Sequence, residues 1–317
     1  MLVTSYFSYK GGSGRSSLIY NTIPFLVEKL NASKEHPIIL VDLDADSAGL
    51  SYLLTENEIK KEDPNFFTTN MLLNTKETIF SKYAAASRGT PIKPFTEFGL
   101  YEKFLPVGAE FGLNHITHGK SVLFVPVQPT KTISKFDGTS NLTISNFLKV
   151  CENYGAAAVI FDMPAGGQII GKTVFEESDK IVVVMRITRQ HRKGTIDFLK
   201  GKALGVAGEF IPLFNVVPQE KIVINGREFN LENVRKEVRD DLEKLRLELD
   251  SQGSECRFDF DMLNYDKYGI PEVKRFKFSE GVLCELKNDR EYIFSNDEEE
   301  AYKAYEYLAE VIAKDFN

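Results

Sequence analysis

Cysteine is scarce: Cys151, Cys256 and Cys284 are the three in a chain of 317 residues, and no CxxC pair occurs. So small, odd and scattered a set argues against a disulfide framework and against a zinc or iron–sulfur site. Long apolar runs are missing too. The longest, Ala156–Phe161 and Ile181–Met185, fall far short of the about 20 residues that cross a bilayer. The opening MLVTSYFSYK lacks the basic start, apolar stretch and small-residue cleavage site of a secretory leader. Leu2 stands where myristoylation requires glycine, and no prenylation box is present. The expectation is a soluble, cytoplasmic protein with no membrane partner. Positive charge is in deficit, with 39 Lys+Arg against 46 Asp+Glu and a net charge of −7. That balance repels nucleic acid on average, so DNA binding by the chain alone should be weak or absent unless a local basic patch supplies it.

What remains is an ordinary globular composition, 43% hydrophobic and 27% charged, which excludes a long disordered or fibrous protein. The length can bury a sizeable core in one large or two small domains. No internal repeat and no composition shift marks a second domain, so 1–317 is read as a single domain. Strand-like apolar runs alternate with helix-length amphipathic stretches, which points to α/β with a parallel sheet. Strands are expected at Leu2–Ser8, Pro37–Val41, Val122–Val125, Ala157–Phe161, Ile181–Met185 and Phe210–Phe214. Helices are expected at 16–30, where Leu18, Ile19, Ile23, Leu26 and Leu30 share a face, and around 140–153, 168–177 and 190–203.

Two regions depart from this alternation. Residues 56–120 show turns and no strong period and read as an insertion at one edge. A second insertion, at 220–262, contains the charged helix 230–250 with a narrow stripe of Leu231, Val234, Val238, Leu242, Leu245 and Leu249. Such a stripe either packs along one seam or projects as an arm, and core packing is the expected outcome.

The chemistry gathers at three strand ends. After the first strand comes Lys10-Gly11-Gly12-Ser13-Gly14-Arg15-Ser16-Ser17, running straight into a helix. Glycines let backbone N–H groups turn inward around a phosphate, and the helix N-terminus adds partial positive charge. The Ser16 hydroxyl stands where a nucleotide-bound Mg²⁺ takes an oxygen ligand. Against the pattern GxxxxGK[ST], Tyr9 replaces the first glycine and Arg15 the lysine. The second strand ends in Val41-Asp42-Leu43-Asp44-Ala45-Asp46-Ser47, and the fourth in Phe161-Asp162-Met163-Pro164-Ala165-Gly166-Gly167. Carboxylates at the C-terminal ends of parallel strands face the crevice where open α/β sheets bind ligands. Each alone is commonly a turn residue or helix cap, but three phosphate–magnesium elements in order make coincidence a poor explanation.

KGGSGRSS, VDLDADS and VIFDMPAGG together resemble the deviant Walker A, switch I and Walker B/switch II segments of ParA/MinD-type ATPases. The resemblance extends to ESDKIVVVM, FNVVP and GIPEVKRFKFSEGVL, and 56–120 and about 220–262 match it least. It implies a P-loop NTPase fold, a doubly wound, mostly parallel sheet flanked by helices. It also implies ATP and Mg²⁺ as cofactors, slow ATP hydrolysis, a homodimer in the ATP state, and work in partitioning or positioning through an unidentified partner protein. Lys10 matches the signature lysine, which reaches across the dimer to the partner's phosphates, a task suited to a flexible point charge. Gly11, Gly12, Ser13, Gly14, Arg15, Ser16 and Ser17 would cradle phosphate. Ser16 would ligate Mg²⁺, with Asp42 and Asp162 supporting it through water. Asp44 would orient the attacking water, and Asn215 would bond the adenine edge with Pro218 packed beside it. Asp46 matches no role of the family and reads as a helix cap.

Arg15 is the departure, because the family usually has a second lysine there. Arginine is planar and bulkier, so the exchange is not conservative at a crowded phosphate site, although a bidentate hold on phosphate remains open to it. Either slow turnover or a non-hydrolysing sensor or scaffold follows. The basic group Arg186, Arg189, His191, Arg192 and Lys193 admits a cross-dimer phosphate contact, docking of an acidic partner, or a solvated helix start. Lys274, Arg275 and Lys277 interleave with Phe276 and Phe278, a spacing also seen at nucleic-acid surfaces, but in an acidic chain buried phenylalanines are expected. Tyr302, Tyr305 and Tyr307 lie on a helical apolar period and are expected in the core.

Overall fold

The central strands are apolar on both faces, as strands covered by helices on two sides must be. The computed structural model describes residues 1–54, 68–69, 104–107, 121–127, 139–166, 169–218, 223–224, 227–228, 230–265, 269–272 and 299–316. In chain order the elements are β1 (Leu2–Phe7), α1 (Arg15–Lys29), β2 (Ile38–Asp42), α2 (Gly49–Leu54), β3 (Leu105–Pro106), β4 (Val122–Val125), α3 (Thr139–Asn153), β5 (Ala158–Asp162) and α4 (Ile169–Glu176). They continue with β6 (Lys180–Met185), α5 (Arg189–Lys202), β7 (Glu209–Val217), β8 (Val223–Ile224), β9 (Arg227–Glu228), α6 (Leu231–Ser251), β10 (Arg257–Phe258), α7 (Asp261–Asn264), β11 (Ile270–Pro271) and α8 (Glu299–Ala313).

The main sheet runs β10-β7-β6-β1-β5-β2-β4-β3, with β11 added to β7. Pairing is parallel throughout except for β3, which runs antiparallel to β4. β1 has β5 on one side and β6 on the other. The connection through α1 leads to β2 on the β5 side, while β6 and β7 lie on the opposite side, so the strand order reverses at β1. Ligands of open α/β sheets bind at such a switch point, beyond the carboxyl ends of the strands. Asp42 and Asp162 are register partners on β2 and β5, which brings two strand-ending carboxylates side by side.

Helices cover both faces. On one, Leu18, Ile19, Ile23 and Leu26 of α1 bury against Ile38, Leu40 and Ile160 of the sheet and against Leu308 and Ile312 of α8. On the other, α3 packs Phe147 and Cys151 over Val41, Val125 and Val159. Further along that face α5 and α6 close over Phe210 and Phe214. The charged helix α6 does not project. Val234, Val238, Leu242, Leu245 and Leu249 are all buried, Leu231 is partly buried, and Asn230 caps the helix by accepting from the Asn233 N–H. In α8, Tyr305 is buried in the core and Tyr307 stacks on Tyr265, whereas Tyr302 is partly exposed and packs edge-on against Phe25.

Most of the stretch 56–120 lies outside the described residues, as do Cys284 and the run Lys274–Phe278. Among the described residues no helix is long and apolar enough to cross a membrane.

Candidate nucleotide site

The loop after β1 is shaped by two glycines in the left-handed region, Gly12 at φ +75° and Gly14 at φ +82°. At Gly14 the requirement is double, because a Cβ there would stand 2.7 Å from the Asn215 amide nitrogen. Gly14 is also the N-cap of α1, which has no side-chain cap bond and no acidic residue in its first turn. The helix therefore offers its partial positive charge to a ligand rather than to its own sequence.

Arg15, the first residue of α1, points into the crevice and is buried. Its Nη2 donates to Asp44 Oδ2 at 2.6 Å, its Nε to Asp162 Oδ1 at 3.1 Å and its Nη1 to Ser8 Oγ at 2.7 Å. The guanidinium fork is thus filled by three partners from the ends of β1, β2 and β5. The other oxygen of Asp162, Oδ2, accepts from Ser16 Oγ at 2.7 Å. Arg15, Ser16, Asp44 and Asp162 form one bonded group, as the spacing of the three motifs implies.

Burial pushes the Asp162 carboxyl up from the ordinary carboxylate range, and the Arg15 guanidinium and Ser16 hydroxyl pull it back in part. Asp42 is fully buried and is raised to about 7, first by burial and then by the charge of Asp162 beside it. Its oxygens are committed to the protein. Oδ1 accepts from the Asp44 N–H, and Oδ2 accepts from the N–H and Oγ of Ser51 in α2. Asp42 therefore ties the start of α2 to β2 instead of lining the crevice with Ser16.

Asn215 lies near the end of β7 and is buried. Its Nδ2 donates to the carbonyls of Ser13 at 2.9 Å and Gly14 at 3.3 Å, and its Oδ1 accepts from the Val216 N–H. Val216 has φ +58°, a costly conformation for a β-branched residue. Backbone strain of this kind gathers where surrounding structure fixes a functional segment. Pro218 lies two residues further on, half-exposed. Lys10 is exposed, and its Nζ donates to Gln190 Oε1 on α5 at 2.6 Å. Ser17 is exposed on α1 and Ser13 is buried.

The basic group after β6 is divided. Arg186 donates through Nε and Nη2 to the Gly12 carbonyl at 3.1 and 2.9 Å. Arg192 joins α5 to α6 through Glu237 at 2.8 Å. His191 is buried, and its pKa is lowered by desolvation and by the charges of Lys10 and Arg186. Arg189 and Lys193 face solvent.

Several contributors carry no motif. Ser8, expected as the last residue of the first strand, lies just beyond β1 and accepts from Arg15. Gly49 faces Ser16, since a Cβ at 49 would stand 2.8 Å from Ser16 Oγ. Gly194 of α5 gives room for the Tyr9 ring, whose carbons lie 2.2 and 2.4 Å from a Cβ placed there. A lone serine or glycine gives no signal in sequence; only the fold reveals what it faces.

Set side by side with solved structures, the chain is similar to MinD of Aquifex aeolicus in its MinC:MinD complex, with a TM-score of 0.58 at 14% identity, covering 98% of this chain and 96% of that one. A ParA family ATPase from Chlorobium tepidum gives a TM-score of 0.52 at 13% identity, with 97% of each chain covered. MinD of Pyrococcus horikoshii, solved with Mg-ADP, gives 0.53 at 18% identity over 99% of this chain and 96% of that one. The fold is that of the MinD and ParA ATPases. No protein-family model matches the sequence, and no curated protein does either. The fold is thus shared with these three structures at 13–18% identity.

On the chain's own geometry, the residues of this MinD/ParA fold suit a magnesium nucleotide. An uncapped helix N-terminus and a glycine turn are groups that suit an anion, and the Ser16 hydroxyl and Asp162 carboxylate lie within one hydrogen bond of each other, an oxygen pair of the kind Mg²⁺ takes.

Proposed function

We propose that the chain is an ATP-binding switch of the MinD/ParA type that holds ATP with Mg²⁺, dimerises around it and hydrolyses it slowly, acting in partitioning or positioning through a partner protein. The observation that carries this reading is the buried group in which Arg15, at the head of α1, is bonded to both Asp44 and Asp162 while Ser16 is bonded to Asp162. Residues 11–14 and the first turn of α1 bind the phosphates, and Arg15 adds two or more donors to them once released from its carboxylates. Ser16 and Asp162 hold the metal. Asp44 positions the attacking water, and Asp42 fixes the strand end from which Asp44 extends. Bound magnesium supplies charge neutralisation at the phosphates. Lys10 leaves Gln190 and reaches the partner's phosphates. Base recognition by Asn215 requires its amide to leave the Ser13 and Gly14 carbonyls, so its first duty is to brace the loop. With a net charge of −7, the protein engages DNA weakly by itself.

Asp44 favours a second reading, a sensor that binds ATP without turnover. Its Oδ2 accepts from Arg15 and from Ser47 Oγ at 2.8 Å, and its Oδ1 from the Ser47 N–H at 3.2 Å, which leaves little of the carboxylate for water. Calorimetry of ATP·Mg²⁺ binding, turnover, and mass in solution with ATP and with ADP decide between them. Wild type should bind ATP, turn it over slowly and double its mass with ATP alone, and Arg15→Lys should turn over faster or at the same rate. Binding with no turnover in either protein selects the sensor, and no binding ends both readings.

A further inference from the structure

Two carboxylates share one cation in the crevice. Asp162 is completely buried and Asp44 nearly so, and the charge that faces both is the Arg15 guanidinium, 2.6 Å from Asp44 and 3.1 Å from Asp162. Taking carboxylates out of water is costly unless a cation accompanies them. The ion a nucleotide brings, Mg²⁺, seeks the same oxygens, with Ser16 Oγ already 2.7 Å from Asp162. Guanidinium and metal cannot both be the near neighbour of Asp162 Oδ1 without repulsion between two like charges, strong in a site withdrawn from water. A lysine at this position would present one compact ammonium. Arginine presents a fork that fits Ser8, Asp44 and Asp162 together, so its hold on the acids is firmer.

We propose that Arg15 is the resident counter-cation of this site: it keeps Asp44 and Asp162 closed to free divalent metal until a phosphate draws the guanidinium away, so that metal enters only with nucleotide. This rests on the nucleotide reading above for what displaces Arg15, but the exclusion of metal is a property of the nucleotide-free protein. The residues that set it are Arg15, Ser8, Asp44 and Asp162. Ser8 matters because its hydroxyl accepts from Nη1 and itself donates to the Lys10 carbonyl at 3.1 Å, which fixes the direction of the fork.

Mn²⁺ binding to nucleotide-free protein, followed by electron paramagnetic resonance, tests the proposal. Wild type should bind Mn²⁺ weakly. Arg15→Gln should bind one Mn²⁺ at least about tenfold more tightly, since a unit charge has left the vicinity, and adding Asp162→Asn should remove the gain. Ser8→Ala leaves the guanidinium in place and loosens it, so it should show a smaller gain; it also serves if Arg15→Gln does not fold. Equal Mn²⁺ affinity in wild type and folded Arg15→Gln, or no gain in Ser8→Ala when Arg15→Gln is lost, overturns the proposal. Calorimetry of ADP·Mg²⁺ on wild type separates the two levels: failure there removes the nucleotide reading and leaves the Mn²⁺ result standing.

Discussion

The side-chain amide of Asn215 lies 2.9 Å from the carbonyl of Ser13, so the end of β7 holds down the loop that follows β1 across the strand β6 between them. Replacing Asn215 by alanine removes that bond and the longer one to Gly14. At about 1 kcal/mol for each hydrogen bond, Asn215→Ala should weaken ADP binding by on the order of tenfold. Because the loop and not the base has lost its support, GDP binding should fall by the same factor. A loss confined to ADP in parallel titrations would show instead that Asn215 reads the base.

Gly49 gives a sharper test of the magnesium assignment. A methyl group at 49 would displace Ser16 Oγ, 2.8 Å from where it would stand, and with it the bond to Asp162. Gly49→Ala should therefore retain metal-free nucleotide binding and lose most of the gain in affinity that Mg²⁺ confers. Calorimetry with Mg²⁺ and with a chelator measures both. An undiminished magnesium effect sinks the placement of Ser16 at the metal.

His191 predicts a pH dependence. Its pKa in the folded protein is lowered from the ordinary 6.5, first by burial and then by Lys10 and Arg186. Below pH 6.5 the unfolded chain takes up a proton that the folded protein resists, so stability from this group is complete above 6.5 and is lost as the pH falls. Relative to His191→Gln, wild type should lose stability between pH 6.5 and 5 in urea titrations of nucleotide-free protein. The comparison with the variant cancels Asp42, whose raised pKa acts in the opposite sense. Parallel curves for the two proteins would mean that His191 titrates as it does in water.

Helix α6 is core despite its charge. Leu242 is fully buried among Phe210, Leu245 and Val238, and Leu242→Ala should cost about 2–5 kcal/mol. Leu247 is exposed on the same helix, and Leu247→Ala should change stability by less than about 0.5 kcal/mol. Equal effects in denaturant titrations would mean that the helix does not pack by this seam.

Much of this was legible because period and position carry the information. The strands at 38–42, 122–125, 158–162 and 180–185 follow from unbroken apolar runs, and the 231–251 helix from its spaced leucines and valines. The motif order placed Arg15, Ser16, Asp44 and Asp162 at one end of the sheet. What sequence did not carry was orientation. Nothing in VDLDADS says that Asp42 turns toward Ser51 while Asp44 turns toward Arg15, because both lie at a strand end and the choice depends on where α2 starts. Nor does FNVVP say that the Asn215 amide bonds the loop's own carbonyls. Ser8, Gly49 and Gly194 act through what they lie against, and single small residues have no period by which to be noticed.

The cover of α1 has a bearing on synthesis. Phe25 meets Tyr302 edge-on, Lys29 pairs with Glu310, and Leu18, Ile19, Ile23 and Leu26 share a cluster with Leu308 and Ile312. The helix that begins at the glycine loop is thus sealed by a segment made more than 250 residues later. Until residues 299–313 have left the ribosome, a nascent chain bearing the glycine loop and the strands that α1 lies on covers α1 on its sheet side alone and leaves the flank that meets α8 bare. Competence to take up nucleotide should appear only once α8 has been made, and a ribosome stalled before α8 should display an open apolar flank to chaperones.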